Sequence, residues 1–290
     1  MTRPNFLILG AQKAATTSLH NYLGQHPDVF VSPVKEPHYF ALGDMELPPQ
    51  MPVQRLMGDM ASYEALFDGV QRETAIGEAS TTYLDSHRAA RRIHERLPDA
   101  KLIAVLRDPA ERAHSHYVFN RKRLLDEAAT LEQGLALEAE RLASGMGPRF
   151  KYLGKGFYHE QLTWYFGLFN REQIRVFLYE DFTNDPFGMI REVFEFLEVD
   201  PDFTPNMNVR YNVSGVPRNK IAETLLRRLG PLRLFLERSL PPQLVSRMGP
   251  MFIRSKAQDS ELRRKLVDAY ADDIRQLQGL IGRDLSGWLR

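Results

Sequence analysis

The chain has 290 residues, 43% hydrophobic and 26% charged, the make-up of a folded globular protein with a sizeable core rather than a disordered or low-complexity one. A formal net charge of +1 argues against a generally basic nucleic-acid binder, and the lack of cysteine excludes disulfides, thiolate metal sites and a cysteine nucleophile. The first apolar run is too short for a signal-peptide core and no other stretch is long enough to span a bilayer, so a cytoplasmic location is expected.

That first run, Phe6-Leu7-Ile8-Leu9, stops at Gly10 and gives way to Ala11-Gln12-Lys13-Ala14-Ala15-Thr16-Thr17-Ser18. A buried strand thus meets a small-residue turn. Thr16, Thr17 or Ser18 is expected to cap the helix that follows, whose apolar face is Leu19, Tyr22 and Leu23. Unpaired N–H groups at such a helix start form an anion site, and with Lys13 and three hydroxyls the expected anion is a phosphate. An ordinary strand-turn-helix with a solvated lysine is the alternative.

Further along, 29–31 reads as a short strand and 32–40 as a loop stiffened by Pro33 and Pro37 around Glu36. Residues 44–58 read as an irregular surface excursion, 62–67 as a short helix, 74–78 as a buried strand and 89–97 as a helix. The clearest buried strand is 101–106. It ends at Arg107-Asp108-Pro109, where Asp108 as N-cap and Pro109 at the first helical position start a helix to 123. Helices are expected over 131–142 and 157–169, a strand over 174–179, and helices alone from 221 onward, the last over 260–280. This alternation predicts an α/β layered domain with a mostly parallel sheet, whose ligands bind beyond the carboxyl ends of the strands, where Gly10, Glu78, Arg107 and Glu180 stand.

Between 220 and 256, eight lysines and arginines face two glutamates. Amphipathic helices packed on the domain, with arginines reaching water, are the expected reading; a peripheral contact with anionic lipid is the other.

The loop departs from the nucleoside-triphosphate pattern G-x-x-x-x-G-K-[ST], having Ala15 and Thr16 where the second glycine and the lysine belong; its lysine comes three residues after Gly10. In this it resembles the phosphosulfate-binding loop, G-x-x-K-x-G-T-T-x-L, of sulfotransferases that use 3′-phosphoadenosine 5′-phosphosulfate (PAPS). Lys35-Glu36-Pro37-His38-Tyr39-Phe40 resembles that family's acidic loop, and Leu106 to Tyr117 its 3′-phosphate motif, R-[DN]-P-x-x-R-x-x-S-x-Y. With Gly156-Phe157-Tyr158 and Tyr179-Glu180-Asp181, the similarity runs over most of residues 5–220, in the manner of heparan-type and bacterial members.

The resemblance implies a three-layer P-loop NTPase-like α/β domain over 1–220, a helical extension over 221–290 packed on it, and PAPS as co-substrate with no metal. Gln12, Lys13, Ala14, Ala15, Thr16, Thr17 and Ser18 would hold the 5′-phosphate side, and Arg107 and Ser115 the 3′-phosphate, helped by Arg218 from a late loop. Lys13 would stabilise the leaving group and Glu36 would act as general base, with His38 as the alternative base or an aid in orienting the acceptor. The acceptor would be a small-molecule, lipid or saccharide hydroxyl. Two departures stand out: Ala15 replaces a glycine, and Ala79 stands where heparan-type members carry a lysine. A P-loop kinase and a non-catalytic nucleotide- or membrane-binding module are the competing readings; the missing G-K-[ST] weighs against the first, and Lys13, Glu36, Arg107 and Ser115 together weigh against the second.

Overall fold

A computed structural model describes residues 2–43, 58–123, 125–207, 216–217, 253–254 and 260–290, the two short pairs as backbone. Five parallel strands form the central sheet: β1 (Phe6–Gly10), β2 (Val29–Val31), β3 (Ala75–Ala79), β4 (Lys101–Leu106) and β5 (Ile174–Leu178), in the order β2-β3-β1-β4-β5. Every residue of β1 is buried, and so is all of β4 after Lys101, as expected of parallel strands covered on both faces. The chain leaves β1 towards β2 and β3, then crosses to the other side for β4 and β5. Beyond β1 therefore lies the crevice where open α/β sheets bind ligands.

The helices between the strands are α1 (Thr16–Leu23), α2 (Tyr39–Leu42), α3 (Met60–Glu64), α4 (His87–Arg96), α5 (Pro109–Lys122), α6 (Leu131–Ala136), α7 (Glu138–Ala143) and α8 (Tyr158–Phe166). Leu19, Tyr22 and Leu23 form the buried face of α1, as their spacing predicts. Residues 131–142 make two helices rather than one, with Leu137 as the joint. After β5 come α9 (Tyr179–Asn184) and α10 (Pro186–Leu197), neither marked in the sequence reading, although Asp185 caps α10 through the Gly188 N–H and Pro186 starts it.

The expectation of helices alone beyond 221 needs correction, because Ile253–Arg254 pairs antiparallel with Val216–Pro217, a two-stranded pairing too short to leave a periodic signal. The excursion at 44–57, Arg218 and most of the basic stretch 220–256 lie outside the described residues. The final helix, Ser260–Ile281, packs against α8 and α5. Its Tyr270 is fully buried, donates to the Leu153 carbonyl at 2.8 Å and meets the Phe157 ring edge-on at 5.1 Å. Gly156 permits this contact, since a Cβ there would fall 2.6 Å from the Tyr270 ring.

Candidate active site

The phosphate loop begins where β1 ends. Gly10 has φ +151°, and a Cβ there would stand 3.0 Å from Leu84 Cβ, so the first position of the loop needs glycine on both counts. Lys13 and Ala15 are left-handed, with φ 75° and 64°. Alternating handedness of this kind turns successive N–H groups into one concavity. Ala15 is itself the N-cap of α1 and no side chain caps the helix, which corrects the expectation that Thr16, Thr17 or Ser18 does so. The N–H groups of Thr16 and Thr17 consequently have no partner among the described residues, and Thr16 and Ser18 are buried. Ala14 is buried, held by its N–H to the Ala11 carbonyl at 3.2 Å, and the Gln12 side-chain oxygen is buried without a partner among the described residues. A helix start with unsatisfied donors and a positive dipole end suits an anion.

Lys13 reaches over the Phe119 ring of α5, its Nζ 4.1 Å from the centroid. Burial, reinforced by the positive charges of Arg123, Arg107, Lys122 and Lys35, lowers its ammonium pKa to about 8. Several cations converging on one half-buried lysine form a site that calls for negative charge.

Arg107 stands at the carboxyl end of β4. Its Nη1 donates to the Lys13 carbonyl at 3.3 Å and its Nη2 to Glu111 at 2.9 Å, while the guanidinium lies 4.5 Å from the Tyr179 ring centroid. Tyr158 donates to the Arg107 carbonyl at 3.0 Å, which accounts for one later match of the resemblance. Asp108 caps α5 by accepting from the Ala110 and Glu111 N–H groups, and its other oxygen accepts from Arg263 of the final helix at 2.7 Å. Both oxygens are thereby engaged in structure, as a capping role requires. Ser115 lies on the second turn of α5, and its buried hydroxyl has no partner among the described residues. A buried, unpaired hydroxyl is costly unless something bonds to it.

On the other side, the loop carrying Glu36 and His38 is laid along the turn after β3. Both residues are left-handed, with φ 61° and 58°. Glu36 N–H donates to the Ala79 carbonyl at 2.9 Å, and its carboxylate accepts from the Thr81 N–H at 2.8 Å, from the Thr81 hydroxyl at 3.1 Å and from Lys35 Nζ at 2.7 Å. Burial pushes this carboxyl up, but Lys35, His38 and the Thr81 N–H outweigh it and hold it below the usual carboxylate range. Its side chain keeps 27% of its surface open to solvent. His38 N–H donates to Ser80 Oγ at 3.0 Å and Nδ1 lies 3.0 Å from Thr82 Oγ1. Burial lowers its imidazole pKa against the pull of Glu36, so at neutral pH the ring is neutral.

Ser80, Thr81 and Thr82, which hold this loop, are not among the sequence-derived site residues; a run of three hydroxyls at a strand's carboxyl end is the available signal. Buried Lys155, 3.7 Å from Asp85, and Arg263 carry no local sequence signal, since only the fold brings them close. Ala79 is fully buried and presents nothing to the cleft.

A donor-lined loop at the switch point, a second cationic position tied to it and an ionised carboxylate opposite make a cleft suited to an anion in a parallel α/β fold. A family model described as "Sulfotransferase domain" matches residues 3–213, and the chain belongs to that sulfotransferase family. The crystal structure of a sulfotransferase from Alicyclobacillus acidocaldarius is similar over 100% of both chains, with 32% identity and a TM-score of 0.79. Among relatives, the membrane-associated sulfotransferase kil1 of Dictyostelium discoideum is 24% identical over 68% of this chain and 56% of that protein. Carbohydrate sulfotransferase 15 of Mus musculus is 28% identical over 68% of this chain and 44% of that protein, so the chain spans about half the length of these relatives.

Proposed function

We propose that the protein transfers a sulfuryl group from PAPS to an acceptor hydroxyl. The observation that carries this reading is the hydrogen bond from Arg107 to the Lys13 carbonyl, which ties the cationic end of β4 to the phosphate loop. In this reading the open N–H groups of Thr16 and Thr17, with the Thr17 and Ser18 hydroxyls and Gln12, hold the 5′-phosphate; Ala14 and Ala15 shape the loop. Arg107 and the unpaired Ser115 hydroxyl hold the 3′-phosphate. Arginine's planar fork suits that group.

The acceptor oxygen attacks sulfur in line as the S–O bond to the 5′-phosphate breaks; the acceptor proton passes to Glu36, and Lys13 offsets the charge gathering on the departing phosphate. Glu36 suits the base because it is ionised, partly open to solvent and held by Thr81. His38, neutral and bonded at Nδ1, leaves Nε2 to orient the acceptor. The relatives' names point to carbohydrate as the first acceptor class to try, with small alcohols and lipid alcohols as comparisons.

Titration calorimetry with 3′,5′-ADP and with 5′-AMP tests the donor. The 3′-phosphorylated nucleotide is expected to bind at least tenfold tighter, and equal affinities would sink the assignment. Glu36→Gln should keep that affinity while turnover with a saccharide acceptor falls by roughly 10²–10⁴-fold.

A further inference from the structure

Glu78, the fourth residue of β3, is completely buried and has no cationic partner among the described residues. Its carboxyl is instead surrounded by hydroxyls. Ser80 Oγ donates to Oε2 at 2.9 Å, Tyr63 of α3 donates to Oε1 at 3.3 Å, and the Tyr83 hydroxyl also bonds to it. Ser80, Tyr63 and Tyr83 are themselves wholly buried. Keeping an acid in such a place works against the fold's stability, since an apolar side chain of the same shape would be cheaper to bury. One of the three hydroxyls leads to the active site: Ser80 Oγ, with its proton turned towards Glu78, accepts the N–H of His38 at 3.0 Å. A second does so more distantly, for Phe40 N–H donates to Tyr83 Oη at 3.4 Å. Residues 36, 38 and 40 are thus hung in succession on Thr81, Ser80 and Tyr83, the last two of which bond to Glu78.

We propose that Glu78 is a positioning residue for the acceptor side of the site, acting through the Ser80 hydroxyl on the backbone of the loop that carries Glu36 and His38. The proposal rests on Glu36 being the base. Its logic is orientational. A carboxylate at 78 draws the Ser80 proton to itself and turns a Ser80 lone pair towards His38 N–H, so the left-handed turn at His38 has a fixed acceptor. A protonated carboxyl competes as a donor and leaves that hydroxyl free to rotate.

Glu78 also titrates where the effect can be seen. Burial, with a smaller push from Glu36, raises its pKa to about 7 against the hydroxyls of Tyr83, Ser80 and Tyr63. Of the groups facing it, the tyrosines stay neutral, their pKa values pushed well above 10, and Glu36 stays ionised below the usual range. Turnover should therefore rise with pH through about 7 as Glu78 ionises, a limb that neither Glu36 nor His38 supplies, both titrating lower.

The experiment compares wild type, Glu78→Gln, Ser80→Ala, the double variant and Ser80→Thr, in turnover and in 3′,5′-ADP affinity. Each of the first two variants is expected to lower kcat by about tenfold with nucleotide affinity within twofold, the double variant to be no worse than either, and Ser80→Thr to recover most of the activity. The limb near pH 7 should vanish in Glu78→Gln. Multiplying losses in the double variant, or nucleotide affinity falling together with kcat, would overturn the proposal in favour of a general role in holding the sheet. Should Glu78→Gln fail to fold, Ser80→Ala alone decides: an unchanged kcat and an unchanged limb would refute it. Wild type failing to discriminate 3′,5′-ADP from 5′-AMP would refute the donor assignment instead, a separate outcome.

Discussion

Lys13 shows how a single residue reports on its ligand. A lysine whose pKa falls to about 8 because it is buried among Arg123, Arg107, Lys122 and Lys35 is electrostatically unsatisfied. In the ligand-free protein its charged form is disfavoured relative to the unfolded chain, so this residue adds stability as pH rises from about 8 towards 10.5. An anion reverses the balance by restoring the charge. Binding of 3′,5′-ADP between pH 8 and 9 should take up a proton, seen as a binding enthalpy that varies with the ionisation enthalpy of the buffer. Affinity should weaken by roughly tenfold from pH 7 to 9. Lys13→Arg should abolish both effects. Its place after Gly10 marks Lys13 in the sequence as a candidate ligand group, but the cations that tune it come from the end of α5, the end of β4 and the loop after β2, so their effect was not legible. Ala15 is similar: the sequence marked it as a departure from glycine, and the structure answers with a left-handed N-cap at φ 64°, a conformation that costs alanine about 1–2 kcal/mol and leaves the helix donors open.

Among the elements, α5 does most to join stability to the site. Its start was readable residue by residue, with Asp108 as cap and Pro109 next, because capping is a local interaction between near neighbours. What could not be read is that the other oxygen of Asp108 is bound by Arg263, 155 residues later. Asp108→Ala removes the cap and this ion pair together, and leaves Arg263 without its carboxylate. The expected cost is about 1–2 kcal/mol, a fall in Tm of roughly 2–8 °C, measurable by thermal unfolding. The loop of residues 32–40 shows the opposite balance. Its prolines announced a stiff segment, yet its shape is imposed by Ser80, Thr81 and Thr82, which meet it across the sheet rather than along the chain.

Across the whole molecule, the final helix is part of what holds the site. It buries Leu266, Tyr270, Ile274 and Leu277, and beyond it Arg283 pairs with Asp181 through two hydrogen bonds while Trp288 donates to Glu180 at 2.9 Å. Residues outside the matched family segment thus brace residues of the 158 and 180 motifs. Tyr270→Ala should cost about 3–5 kcal/mol and Tyr270→Phe only about 1, as chemical denaturation would measure; a cost for Tyr270→Ala no larger than that for Tyr270→Phe would mean that the helix docks loosely. The periodic strands, the alternation with helices, the Asp108 cap and the lysine-bearing loop could be read from the order of residues alone, because each depends on neighbours a few positions apart. The pairing of Glu36 with Thr81, the bracing of Asp108 by Arg263, the unmet hydroxyl of Ser115 and the carboxyl of Glu78 under the acceptor loop exist only in the folded chain. Their partners are far apart in sequence, and burial and electrostatic tuning are properties of the assembled sheet.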